Sequence, residues 1–282
     1  MGELIKGKPV ADRITKEVKD GANELIAKNI HPKLMIVRVG ERQDDLSYEK
    51  SAIKRMESCG IECEVTALPL DISQDDFIDK LKAVNGDNTV HGILLFRPLP
   101  KQIDENVVKH IISPSKDIDC FNPANVAKIV EGDKTGFAPC TPTAAMEILK
   151  YYNIEMKGKN AAVIGRSLVV GKPMAMLLLG ENATVTICHS RTSDLAKVTS
   201  DADILVAAIG KAKMITEDFV KEGAVVIDVG INVDEEGNLC GDVDTESCKN
   251  KSSYITPVPA GVGSVTTAVL AKHVLKACKQ LC

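Results

Sequence analysis

Apolar and polar positions along this chain follow two periods in turn, one helical and one extended. Val10 to Asn29 repeats at helical spacing, and Leu34 to Val39 is a short apolar run that reads as a buried strand. Asp45 to Cys59 returns to the helical period, Glu64 to Leu68 to strand, Ser73 to Ala83 to helix and Gly92 to Phe96 to strand. Strands separated by stretches of helical length imply parallel pairing through crossover helices. A Pro-rich break, Phe137-Ala-Pro-Cys-Thr-Pro142, interrupts the series. Thr141 suits a helix N-cap and Pro142 the first helical position, which predicts a helix from there to about Tyr152. A second series follows, with strands at Asn160–Ile164, Thr184–Cys188, Ile204–Ala208 and Ala224–Val229 and a helix at Gly171–Leu179. The closing segment, Ser264 to Gln280, is apolar at helical spacing.

The pattern is that of an α/β protein in two lobes. The boundary falls near residue 140 with a return crossing near 260, and the last helix is expected to pack back on the first lobe and clamp a small-molecule cleft. At 282 residues the chain is long enough for two cores. A net charge of −4 argues against a general nucleic-acid or membrane surface, and no apolar run is long enough to cross a bilayer. The charged start, Met-Gly-Glu-Leu-Ile-Lys, carries no signal peptide. Nine scattered cysteines without a C-x-x-C pair read as reduced, mostly buried thiols of a cytoplasmic protein. The five histidines have no metal-ligand spacing, so no metal site is expected.

The cofactor signal is Ala161-Ala-Val-Ile-Gly-Arg-Ser-Leu-Val-Val-Gly-Lys-Pro173: a strand, a tight glycine turn and a helix start, whose backbone amides suit an anionic ligand. It is neither G-x-G-x-x-G nor a P-loop, and an ordinary strand–helix turn remains the alternative on these residues alone. The next strand ends in Cys188-His-Ser-Arg191, where a doubly wound fold meets the adenosine ribose. Ser190 and Arg191 there, with Arg166 in the first turn, favour the 2′-phosphate of NADP over NAD, the alternative being an exposed arginine on a loop. Ala207-Ala-Ile-Gly210 and Asp228-Val-Gly-Ile-Asn232 put further glycines at strand ends, each of which could also be a simple turn.

Ser47-Tyr48, Pro98-Leu-Pro100, Lys116-Asp-Ile-Asp119, Pro139-Cys-Thr-Pro142, Gly165-Arg-Ser with Val170-Gly171-Lys-Pro173, and Tyr254-Ile-Thr-Pro-Val-Pro-Ala-Gly-Val-Gly263 together resemble the methylenetetrahydrofolate dehydrogenase/cyclohydrolase family over nearly the whole chain. The resemblance implies an N-terminal folate-binding lobe (1–140, joined by the C-terminal helix 264–282), an NADP-binding Rossmann lobe (141–263) and a homodimer acting on tetrahydrofolate derivatives. It implies that Tyr48 stacks on the folate ring system and Asp119 accepts hydrogen bonds from the pterin, as the catalytic pair, with Pro98, Pro257, Gly261 and Val262 lining the substrate. For the cofactor it implies Thr141, Gly165, Arg166, Ser167, Val170, Gly171, Pro173, Ser190, Arg191, Gly210 and Ile231.

Four positions depart from the family, two of them in its Pro-Gly-Gly-Val-Gly-Pro loop, where Ala260 and Ser264 stand here. The family lysine, four residues after the tyrosine, is Ala52 here, and the family glutamine is Phe96. Lys50 and Lys54 lie about 160° and 120° around the helix from Tyr48, and strand alternation turns Arg97 away from Phe96. Hydride transfer to a nicotinamide needs two ligands held close and no protein acid or base. Hydrolysis of the methenyl product needs an activated water and proton transfers. The expectation is an NADP-dependent methylenetetrahydrofolate dehydrogenase with weak or absent cyclohydrolase activity; the alternatives are the ordinary bifunctional enzyme and a non-catalytic NADP- or folate-binding regulator.

Overall fold

The computed structural model describes residues 2–282, which divide into two compact units. One comprises Asp12–Cys140 and Thr267–Cys282; the other comprises the chain up to Ala11 and Thr141–Thr266.

The first unit is built on a three-stranded parallel sheet in the order Glu62–Leu68, Lys33–Val39, Gly92–Leu95. Leu34 and Ile36 point to one face of the central strand, Met35 and Val37 to the other, and all four are buried. Both faces are therefore covered, which is why this strand reads as a continuous apolar run and not as an alternation. Phe77 and Leu81, from the helix Gln74–Gly86, pack with Val37, Ile93 and Leu95 in one cluster. Ser73 caps that helix by accepting from the Asp76 N–H at 3.2 Å.

The C-terminal helix, Thr266–Leu281, belongs to this unit from Thr267 onward. His273 Nδ1 donates to the Ile118 carbonyl at 2.9 Å. Lys276 Nζ donates to the carbonyls of Lys134 and Gly136, and Gln280 Nε2 to that of Thr135.

The second unit holds six parallel strands in the order Glu3–Leu4, Ser252–Ile255, Ala224–Asp228, Ile204–Ala207, Asn160–Ile164, Thr184–Cys188. Chain order reverses about Asn160–Ile164: its sequence successor lies on one side and the next strand on the other. That reversal is the topological switch point of a doubly wound sheet, where such folds bind ligands beyond the strand ends.

Several expectations change. The chain up to Ala11 was placed with the first lobe, but it joins the second unit. The cause is main-chain pairing: Glu3–Leu4 adds a parallel strand beside Ser252–Ile255, and Gly7 N–H donates to the Ala260 carbonyl at 2.9 Å. A two-residue strand leaves no hydrophobic period to read. Thr141 is not the N-cap of its helix, which spans Cys140–Tyr151 and so takes Thr141 and Pro142 into its first turn. The Asp119 carboxylate accepts the Cys140 N–H at 2.7 Å and starts the helix from a distant part of the chain. Ser252–Ile255, the hairpin of Asn232–Val233 with Leu239–Cys240, and the helices Glu105–Val108, Pro123–Glu131, Leu195–Thr199 and Thr245–Lys249 are additions to the predicted elements. Among the described residues no helix is long and apolar enough to cross a membrane, and the nine cysteines are free thiols, all but Cys63 and Cys282 buried.

Candidate active site

Parallel pairing brings four strand ends of the second unit to one edge. Asn160–Ile164 and Thr184–Cys188 are in register with Ile164 opposite Cys188, and Gly165 N–H donates to the Cys188 carbonyl at 2.9 Å. Arg166 and Ser190 each stand two residues beyond that pair, followed by Arg191, and all three side chains are exposed. Gly165 has φ +136°, and a Cβ there would strike the Ala208 carbonyl oxygen. A Cβ on Gly171 would strike the Gly165 carbonyl, so the helix Gly171–Gly180 begins pressed against the turn. Ser167 Oγ accepts from the N–H groups of Val170 (3.1 Å) and Gly171 (3.4 Å), which shapes the loop, and residues 166–169 are exposed. Pro173 is buried in the first turn of that helix, while Gly210 and Ile231 stand exposed past the next two strands. A close-packed glycine turn at a switch point, with two guanidinium groups beside it, suits a dinucleotide carrying an extra phosphate.

Two buried carboxylates stand behind this edge, and the sequence reading missed both. Asp228 receives the N–H groups of Gly230, Asp242 and Val243 at 2.9–3.0 Å, and burial still pushes its carboxyl up to about 6. Asp242 accepts from the N–H groups of Ile209, Gly210 and Lys211 and from Asn232 Nδ2. An acid ending an otherwise apolar strand could have flagged Asp228; the loop partners of Asp242 lie more than thirty residues upstream, beyond any local pattern.

In the first unit, Tyr48 sits half-buried on the helix Gln43–Cys59, its ring 6.0 Å from that of Phe96 and nearly perpendicular to it. Ala52, one turn on, is fully buried, and Phe96 is 9% exposed just past the strand Gly92–Leu95. Lys50 and Lys54 are exposed on that helix. Arg97 turns to the ring of Phe121, 4.4 Å from its centroid, and precedes Pro98 through a cis bond. Glu49 pairs with Arg38 at 2.9 Å.

Asp119 is half-buried and raised above the usual carboxylate range by burial, against the bond from Cys140 that favours its charge. The neighbouring motif residues are structural. Lys116 Nζ binds the carbonyls of Asn85 and Asp87, and Asp117 accepts from the N–H groups of Phe121 and Asn122. Pro257, Gly261 and Val262 belong to the second unit, with Gly261 and Val262 buried.

Among the described residues, folding also assembles a His/Cys group that the spacing did not predict: His91, Cys278 and Cys282 have ligand atoms within 4.8 Å of one another. His91 Nδ1 accepts the Lys33 N–H at 3.2 Å, so the proton of the neutral ring sits on Nε2, which faces Cys282 Sγ at 3.6 Å. The lone pair a metal would need is thereby occupied. A cavity of about 440 Å³ in the first unit, lined by Arg38, Glu41, Leu68 and Leu70 among others, includes none of the predicted site residues.

Strand order and edge chemistry define an α/β protein with a dinucleotide-binding unit. The chain matches the catalytic domain of tetrahydrofolate dehydrogenase/cyclohydrolase over residues 5–119 and the NAD(P)-binding domain of the same enzymes over residues 139–282. It is 63% identical over 278 residues to the Bifunctional protein FolD of Clostridioides difficile strain 630, covering 99% of this chain and 97% of that one. Among solved structures, the bifunctional FolD methylenetetrahydrofolate dehydrogenase/cyclohydrolase of Campylobacter jejuni superposes with a TM-score of 0.97 at 42% identity, covering 99% of both chains. The Trypanosoma brucei dehydrogenase–cyclohydrolase, complexed with NADP cofactor and inhibitor, gives 0.93 at 34%, covering 99% of this chain and 98% of that one. The chain belongs to the tetrahydrofolate dehydrogenase/cyclohydrolase family.

Proposed function

We propose that this chain oxidises 5,10-methylenetetrahydrofolate to 5,10-methenyltetrahydrofolate with NADP, and that its hydrolytic reaction is weak. The Gly165 turn, with Arg166, Ser190 and Arg191 exposed on adjoining strand ends, supports the cofactor reading. NADP, when bound, supplies the nicotinamide that accepts the hydride. The chain's own part is to bind and orient: the guanidinium groups of Arg166 and Arg191 and the Ser190 hydroxyl hold the 2′-phosphate, and main-chain N–H groups of the exposed residues 166–169 face the pyrophosphate. Tyr48 stacks on the folate ring system, and the carboxylate oxygen of Asp119 not bound to Cys140 accepts from the pterin. Cytoplasmic residence and a homodimer belong to the same proposal.

The observation behind the weak hydrolytic step is the apolar wall beside Tyr48, made of buried Ala52 and Phe96. Neither side chain can hold water or pass a proton, and positioned acid–base groups typically contribute about 10²–10⁴-fold. A second reading keeps both reactions, and the relatives favour it: the proteins of C. difficile and C. jejuni are both called bifunctional.

A paired assay on one sample separates the two. It follows NADPH formed from methylenetetrahydrofolate, and decay of methenyltetrahydrofolate above the buffer rate. Reduction without added decay supports the first reading, vigorous decay the second, and no reduction of NADP overturns both.

A further inference from the structure

Asp242 and Asp228, at 0% and 1% exposure, are buried carboxylates that accept from six main-chain N–H groups and, for Asp242, from the Asn232 side-chain amide. A carboxylate without a cation persists in such a place only when several donors converge on it. Their locations matter. Asp242 Oδ2 accepts from Ile209 at 2.6 Å and Gly210 at 3.1 Å, and Oδ1 from Lys211 at 2.8 Å and Asn232 Nδ2 at 2.9 Å. Residues 209–211 follow the strand Ile204–Ala207, and Asn232 stands next to Ile231 beyond the strand Ala224–Asp228. One carboxylate thus ties together two neighbouring strand-end loops. Asp228 in turn holds Asp242, by accepting its N–H at 3.0 Å.

The tie reaches the glycine turn as well. N–H and C=O of one peptide group point in opposite directions. The peptide whose N–H (Ile209) donates to Asp242 therefore turns its carbonyl (Ala208) away from the carboxylate, and that oxygen is the atom a Cβ on Gly165 would strike. Fixing Ile209 N–H fixes the wall against which the Gly165 turn is packed. Gly210, at φ +66°, lets three successive N–H groups curl onto one anion.

We propose that Asp242 is a positioning residue for the nucleotide: its carboxylate holds the 209–211 loop and the Ile231–Asn232 segment in the arrangement that NADP meets. This rests on the reading that the second unit binds NADP. Asp242→Asn turns one acceptor oxygen into an NH₂ group that faces N–H donors. Loss of a hydrogen bond to a charged group is expected to weaken NADP binding about tenfold. The KM for methylenetetrahydrofolate should stay within about twofold, and kcat at saturating NADP within about threefold, because the first unit holds no part of the network. Asn232→Ala removes a single donor from a half-buried side chain and should weaken NADP about threefold.

The test is calorimetric titration of NADP into the wild type and both variants, with circular dichroism and both KM values measured on the same samples. A rise confined to NADP supports the assignment. A folded Asp242→Asn variant that binds NADP like the wild type overturns it, as does an equal loss in every kinetic parameter. If Asp242→Asn fails to fold, unchanged NADP affinity in Asn232→Ala overturns it. Failure of the wild type to bind NADP refutes the cofactor reading instead, and is seen before any variant is made.

Discussion

The two units set their recognition groups by different physical means. In the second, geometry comes from the main chain: a glycine turn packed on the Ala208 carbonyl, and loops pinned by N–H groups converging on Asp228 and Asp242. In the first, the candidate face is made of side chains, with Tyr48 edge-on to Phe96 and Ala52 buried one turn away. Every residue but proline has an N–H, so a main-chain frame survives much exchange of the side chains around it. A face of side chains loses a whole chemistry with one or two substitutions.

The sharpest way to break this contrast is to introduce a polar pair beside Tyr48. The double variant Ala52→Lys, Phe96→Gln is expected to raise the ratio of methenyltetrahydrofolate hydrolysis to dehydrogenation about 100-fold. No gain in that ratio would mean the apolar face does not limit hydrolysis. Ala52→Lys alone should lower the melting temperature, because it buries an ammonium beside an aromatic ring.

The main-chain frame has its own signature in pH. Asp228 is raised to about 6 in the folded protein, against an ordinary value near 4 when unfolded. Between those values the folded state binds more protons, so this group's contribution to stability is full below about pH 4 and declines as pH rises through about 6. The decline is roughly 3 kcal/mol. Across that window the unfolding free energy of the wild type should fall by this amount relative to Asp228→Asn, and parallel curves would reject the buried-carboxylate account.

A smaller effect tests cofactor choice. Arg191→Ala should weaken NADP about 10–30-fold and leave NAD within about twofold, since only NADP carries the 2′-phosphate. Equal losses for both cofactors would move Arg191 away from the ribose.

The smallest concerns strain. Ala260 holds φ +81° while its carbonyl accepts from Gly7, a backbone conformation that costs an L-residue about 1 kcal/mol. Ala260→Gly is expected to raise stability by about that amount, and a lower melting temperature would show that the alanine methyl packs usefully.

Legibility in the sequence followed the range of the interactions. Asn160–Ile164 was readable to the residue as an apolar run between parallel neighbours, and Thr184–Cys188 as a β-branched run, although it forms the sheet edge and only Cys188 is buried. Glu3–Leu4 was invisible, since its pairing uses main-chain atoms that every residue carries. Asp119 was legible as a family position, but not as the group that starts the Cys140–Tyr151 helix. Asn232 and Asp242 sat in plain view with nothing local to mark them.

The sequence by itself determined the alternation of strand and helix, the two-lobed α/β class, the family, and the apolar residues at Ala52 and Phe96. Those properties reside in local periods and residue identities, which survive without coordinates. Only the tertiary structure decided that the chain's start pairs into the second unit and that Thr141 lies inside its helix. It alone brought His91 to Cys282 and Asp242 to the 209–211 loop. Each of these depends on hydrogen bonds between atoms far apart in the chain, whose partners are set by how the sheets close and not by any neighbouring residue.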